Sequence, residues 1–175
     1  IHWKLHLILG GLILLNNNLV TNSGDTVGRA NEARAIALIE MEKTDGVRQK
    51  LYALQAAVAE LEEVNCPLQH LFAPDIYIRT IFIPAGTCIV GKIHKHAHGN
   101  ILSKGRVTVV TESGGLEHLE GPIQLVSEEG TKRAVYAHTD VVWTTIHPNP
   151  TNTTNVDEIE EFTIAKTYDE YLLMN

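Results

Sequence analysis

Three imidazoles stand at alternate positions in His94-Lys95-His96-Ala97-His98. On an extended strand, side chains at i, i+2 and i+4 point to one face, so His94, His96 and His98 can converge. Together they offer a donor set for one divalent transition metal, Zn, Fe, Mn or Ni. The same run at a rim would be an ordinary solvated cluster. A bulge near Ala97 would alter the set, turning His96 away and leaving His94 with His98. His98, His138 or His147 could complete a site, since three protein ligands plus water suffice. A different chemistry for the same neighbourhood is anion binding, with Lys132, Arg133 and the imidazoles gripping a carboxylate or phosphate. No nucleophile-and-base arrangement stands out: there is no G-x-S-x-G and no Cys beside a His. Glu112, Glu117, Glu120, Glu128 and Glu129 flank turns, and Trp143 reads as a core aromatic. No catalytic or organic-cofactor residue is therefore assigned.

The elements that must position these rings read as strands. Ile76-Tyr77-Ile78-Arg79-Thr80-Ile81-Phe82-Ile83 is β-branched and aromatic, and the turn Pro84-Ala85-Gly86-Thr87 follows. Further strands are expected at 88–93, 100–102, 106–111, 116–119, 123–126, 133–136 and 141–147, punctuated by Gly-rich turns. Many short strands at this spacing argue a sandwich or barrel. The final segment, 155–175, reads as a tail that is acidic and then aromatic, either strand or helix.

Upstream the pattern is helical. The stretch 26–42 is rich in Ala and Glu without proline, and a second helix is expected from Gly46 to about Glu63. Asp45 could cap it, or Gly46 could mark a break. Val47, Leu51, Leu54, Val58 and Leu61 follow a four-three-four-three spacing. That is a heptad seam, which reads as an oligomerisation surface for a dimer or trimer or as an amphipathic helix lying on its own sheet. Cys66-Pro67 ends it. Residues 1–25 form an apolar arm and linker. The run Leu5–Leu15 is shorter than the ~20 residues that span a bilayer, so burial in an assembly is expected ahead of membrane contact.

Bulk properties narrow the function classes. The 175 residues are 44% hydrophobic and 20% charged, with a net charge of −7, which describes a globular chain without a dominant basic face. The scattered Lys92, Lys95, Lys104, Arg106, Lys132 and Arg133 argue against nucleic acid as a partner. Cys66 and Cys88 are too few for a disulfide framework and read as small core residues in a reducing compartment.

Two stretches carry a family resemblance. Pro84-Ala85-Gly86-Thr87, His94-x-His96 and Gly105 resemble the first cupin motif, and Glu120-Gly121-Pro122 through Arg133 resembles the second. Cys66-Pro67, Phe72-Ala73-Pro74, His94-Lys95-x-x-His98-x-Asn100 and Val142 to Pro148 are similar to small cupins encoded in tailed-phage genomes. The resemblance implies a mainly β protein, with a single cupin-type antiparallel β-barrel of jelly-roll kind over 66–154 behind a helical segment at 26–65. It departs at two ligand positions: Asn100 stands where the family offers Glu, and Arg133 where it offers His. Asn is a poor ligand beside carboxylate and a guanidinium cannot ligate. The weakened set, the seam and the arm lead to the expectation of a non-enzymatic structural cupin. It would be a homo-oligomeric phage virion component in head decoration, neck or tail, assembled in the host cytoplasm with other virion proteins. The alternative is a metal-dependent cupin enzyme, an oxygenase or isomerase acting on a small polar substrate; a third reading is a sugar- or anion-binding module without turnover.

Overall fold

β-Branched and aromatic residues dominate 76–83 and 141–148, and each stretch forms an eight-residue strand, the two paired antiparallel along their whole length. The computed structural model describes residues 6–7, 46–112 and 115–174. In chain order these form β1 (His6–Leu7), α1 (Val47–Ala59), β2 (Leu68–Ala73), β3 (Ile76–Ile83), β4 (Thr87–Val90), β5 (Ile93–His94), β6 (His98–Lys104), β7 (Arg106–Thr111), β8 (Gly115–Glu120), β9 (Ile123–Ser127), β10 (Arg133–Ala137), β11 (Val141–Pro148), α2 (Val156–Thr163), β12 (Ile164–Ala165) and α3 (Tyr168–Leu172). The helix expected over 26–42 and most of the apolar arm lie outside the described residues.

The strands form two five-stranded antiparallel sheets, ordered β1-β4-β10-β7-β8 and β2-β3-β11-β6-β9, with β12-β5 as a separate pair. Among the described residues no strand pairing joins the two large sheets, so the expected closed barrel is corrected to an open two-sheet sandwich. The period-two alternation of strands explains the packing. Along β11 the residues Val141, Trp143, Thr145 and His147 are buried while their neighbours are not. The inward residues of both sheets, among them Ile83, Leu102, Val107, Val109, Val135, Ala137, Val141 and Trp143, share one core. Gly105 turns β6 into β7 at φ +102°, where a Cβ would sit 2.5 Å from the Asp140 carbonyl oxygen. Glycine supplies both the left-handed backbone and the missing volume there.

The outward face of the first sheet is covered by α1. Leu51, Leu54 and Val58 are buried against Cys88, Val110, Ala134 and Tyr136, with Val47 partly buried beside them, while Leu61 lies past the helix end. The seam is therefore covered by the chain's own sheet, the second of the two readings its spacing allowed. β10 is consequently apolar on both faces, with Val135 and Ala137 toward the core and Ala134 and Tyr136 toward the helix. Gly46 takes the N-cap position without a side-chain cap bond, so tertiary burial rather than capping holds this helix. Cys66 and Cys88 are buried and free, and burial pushes their thiols up to about 11 and about 12. Both behave as small apolar residues. No helix among the described residues is long and apolar enough to cross a membrane.

Leu54→Ala is expected to cost about 2–5 kcal/mol in urea unfolding, as truncations of buried Leu do. The loss should not depend on protein concentration. A loss that disappears on dilution would place the seam between copies of the chain instead.

Candidate metal centre

The inner face of the second sheet is graded along its strands. At one end Val141, Trp143, Ile83 and Leu102 are apolar, and at the other Tyr77, Arg79, Thr145, His147, His98 and Asn100 are polar. Register sets the gradient: Trp143 lies opposite Ile81 and Leu102, Thr145 opposite Arg79 and Asn100, and His147 opposite Tyr77. The polar end is thus assembled by three neighbouring strands.

His98 on β6 and His147 on β11 are both 5% exposed, and their rings lie 4.6 Å apart. His94 reaches the same point from β5, with ring centroids 4.0 Å from His98 and 5.2 Å from His147. One ligand nitrogen from each of the three rings falls within 4.8 Å of the others. The backbone bends at Lys95-His96 between β5 and β6, so the strict alternation of a single strand is lost. This corrects the expected set of His94, His96 and His98. His96 is turned out of the cluster and stacks on Phe162, 4.8 Å between ring centroids. The bend at Lys95-His96, in place of a bulge near Ala97, leaves His94 with His98 and brings His147 beside them. His138 lies elsewhere, sharing a 2.6 Å hydrogen bond with Thr108, which also bonds His118.

Burial holds these rings neutral. It depresses His94 well below the ordinary value, and the neighbouring His98, His147, Arg79 and Arg133 add to the effect. His98 falls to about 4, through burial first and then the charges of Arg133 and Arg79. His147 falls to about 3, through burial and then His98 and Arg79. A neutral imidazole keeps the lone pair that metal ligation needs. The His96 carbonyl accepts from His98 Nδ1 at 3.3 Å, which leaves Nε2 as the acceptor nitrogen. His94 Nδ1 is buried with no hydrogen-bond partner. An orphaned buried nitrogen is costly, and a cation among the three rings would satisfy it.

The C-terminal segment covers this cluster. β12 pairs with β5, placing Ile164 opposite His94, and Lys95 N–H donates to the Thr163 carbonyl at 2.8 Å. Lys92 forms an ion pair with Glu160, while Lys95 donates to the Glu161 carbonyl at 2.8 Å and approaches Glu170 at 3.4 Å. Ile159, Glu160 and Thr163 then line a small space of about 20 Å³ against Tyr77, Arg79, His94 and His147. Asn155 caps α2 by accepting from Asp157 N–H, a signal the sequence carried in Asn155-Val156-Asp157.

On the other side the cluster opens into a cavity of about 420 Å³, lined by His94, His98, Arg79, Arg133, Asn100 and Thr145 at its polar end. Asn100, at the position where cupins offer Glu, is 2% exposed and engaged in hydrogen bonds. Its Oδ1 accepts from Trp143 Nε1 at 3.0 Å and Arg133 at 3.4 Å, and its Nδ2 donates to Ser127 Oγ at 2.8 Å. Arg133 also donates to Ser127 Oγ. These residues tie β6, β9, β10 and β11 together and do not ligate. Lys132 is taken out of the anion-binding set: it donates to Gln55 Oε1 and the Gly91 carbonyl beneath Tyr52.

No family model and no curated protein matches the chain. Among solved structures it is similar to an RmlC-like cupin family protein from Methanocaldococcus jannaschii, at 14% identity and TM-score 0.43 over 50% of this chain and 84% of that one. A cupin superfamily protein from Desulfitobacterium hafniense matches at 13% identity and TM-score 0.43, covering 53% and 85%. Ectoine synthase from P. lautus matches at 12% identity and TM-score 0.47, covering 57% and 75%.

In chelator-treated protein, the depressed imidazoles fix the sign of the acid response. The unfolded chain binds protons near the ordinary 6.5, whereas His98 and His147 in the fold wait until about 4 and about 3. Their contribution is fully present above about pH 6.5 and is lost as pH falls toward 4, by up to about 1.4 kcal/mol per pH unit for each ring. Urea unfolding between pH 7.5 and 4.5 should show this slope, and His98→Gln/His147→Gln should flatten it. An unchanged slope in that variant would contradict the assignment.

Proposed function

We propose that the chain holds one divalent transition metal on His94, His98 and His147 and uses it on a small molecule taken into the adjoining cavity, as a metal-dependent enzyme. The observation that carries this reading is the convergence of three neutral imidazoles within 4.8 Å, His98 and His147 buried and His94 half-buried with an orphaned nitrogen, at the end of a cavity of about 420 Å³. Structural metal sites are closed by four protein ligands, whereas three ligands leave a position for water or substrate.

A bound ion would supply Lewis acidity, which serves an isomerase, and Fe, Mn or Ni would add the redox centre that an oxygenase needs. The chain's own residues do the rest. The His96 carbonyl orients His98, the β5–β12 pairing fixes His94, and β11 presents His147 beside Tyr77. α2 shields one side of the cluster from solvent, and the other side faces the cavity. Arg79 and Arg133 place positive charge beside the imidazoles and disfavour their protonation. The virion reading has the phage-cupin resemblance and the apolar run within residues 1–25 of the sequence as its only support.

Elemental analysis after dialysis against zinc, manganese, iron(II) or nickel is expected to give about one equivalent of at least one ion, as a single three-imidazole site holds. His98→Ala/His147→Ala should lose it at least tenfold, and His96→Ala should retain it. Retention by the double variant, or loss in His96→Ala, would overturn the assignment, as would less than about a tenth of an equivalent of every ion in the parent chain.

A further inference from the structure

Arg133 is a partly buried cation whose hydrogen-bond partners are all neutral. It donates to Asn100 Oδ1 and Ser127 Oγ, and lies 5.8 Å from the Trp143 ring centroid. Among the described residues no carboxylate forms an ion pair with it. Burial lowers its pKa to about 10, against a smaller opposing pull from Glu117, so the charge has lost more in water than it regains from a carboxylate. Arg79 lines the same cavity, and burial lowers its pKa too.

Most of the remaining cavity wall is of a different kind. Val58, Leu68, Ile81, Ile83, Val135 and Trp143 face it from α1 and both sheets, with Gln55 and Lys92 as polar members. The volume of about 420 Å³ falls in the range of pockets that enclose a small organic molecule. A sugar or other polyol would leave its hydroxyls unpaired against that wall, and burying them so is unfavourable. A ligand with one anionic head and an apolar body satisfies both ends.

We infer that the cavity takes a small monocarboxylic acid with an aromatic or branched aliphatic body, its carboxylate on Arg133 and Arg79 beside the three imidazoles and its body against the Val58–Trp143 wall. This deepens the metal-centre reading, and rests on it for which end of the cavity is reactive. It narrows the small polar substrate expected from sequence to an amphipathic acid. Asn100 and Ser127 act as positioning residues: they fix the Arg133 side chain, so the fork is ordered before the acid arrives.

The test is calorimetric titration of the full 175-residue chain, chelator-treated and zinc-loaded, with benzoate and isovalerate and with their neutral counterparts benzamide and isovaleramide. At least one acid is expected to bind saturably and at least tenfold more tightly than its amide, and acetate to bind more weakly than either acid. Arg133→Gln should weaken the acid at least tenfold, and Arg133→Lys less. The acid–amide comparison needs no variant, so it decides the matter even where Arg133→Gln fails to fold. Equal affinity for acid and amide, no acid binding to either form, or a folded Arg133→Gln with parental affinity would overturn the inference. Metal content of the same chain, loaded in turn with zinc, manganese, iron(II) and nickel, separates the two readings. Acid binding that follows Arg133 in a chain that takes up none of these ions supports the anion site and sinks the metal centre. Zinc uptake without preference for acids does the reverse.

Discussion

Three imidazoles can share one buried point only if all of them stay neutral, each with a single ring N–H. Side by side at ring separations of 4.0–5.2 Å, and near Arg79 and Arg133, a second charge would meet both desolvation and repulsion. That constraint governs the arrangement around them. The cluster sits at the sandwich end where β3, β6 and β11 bring their polar residues together, away from the apolar core around Leu102 and Trp143. It is roofed by α2 and β12; β12 pairs with β5, and the flanking Lys92 and Lys95 contact Glu160 of α2 and Glu170 of α3. The same low-dielectric enclosure that suppresses protonation leaves neutral nitrogen donors, the form in which histidine binds metal.

The substitutions at Asn100 and Arg133 have a joint logic. Each alone removes a ligand position of the family the sequence resembles. Together they build a hydrogen-bonded bridge with Ser127 and Trp143 across four strands. A buried guanidinium beside a carboxylate at position 100 would have formed an internal ion pair and neutralised itself. With an amide there, the guanidinium keeps its charge for the cavity. His147 takes its place beside His98 because its strand lies next to β6 and its side chain alternates inward with Trp143 and Thr145.

Local pattern made the strands legible. The stretches 76–83 and 106–111 form strands over the spans their β-branched runs define, and Gly105 takes the left-handed turn that punctuation by glycine implies. β2 escaped notice because Leu68-Gln69-His70-Leu71-Phe72-Ala73 is an edge strand with mostly exposed residues, so it lacks a buried alternation. The histidine motif was legible as chemistry but not as geometry. Whether His96 or His98 faces inward depends on the bend after His94, and that bend is held by Thr163 and Ile164, some seventy residues downstream. His147 could be found as a candidate but not ranked, because its partnership with His98 is set by sheet order. The helical seam shows the same limit: its spacing fixes an apolar stripe, and only the sheet beneath decides what covers it.

The most direct examination of the account is a crystal structure of the cobalt-soaked chain phased at the cobalt absorption edge. One anomalous peak is expected among the ring nitrogens of His94, His98 and His147, at about 2.0–2.2 Å from each. A peak on His96, or cobalt only on surface histidines with the three buried rings unligated, would contradict it.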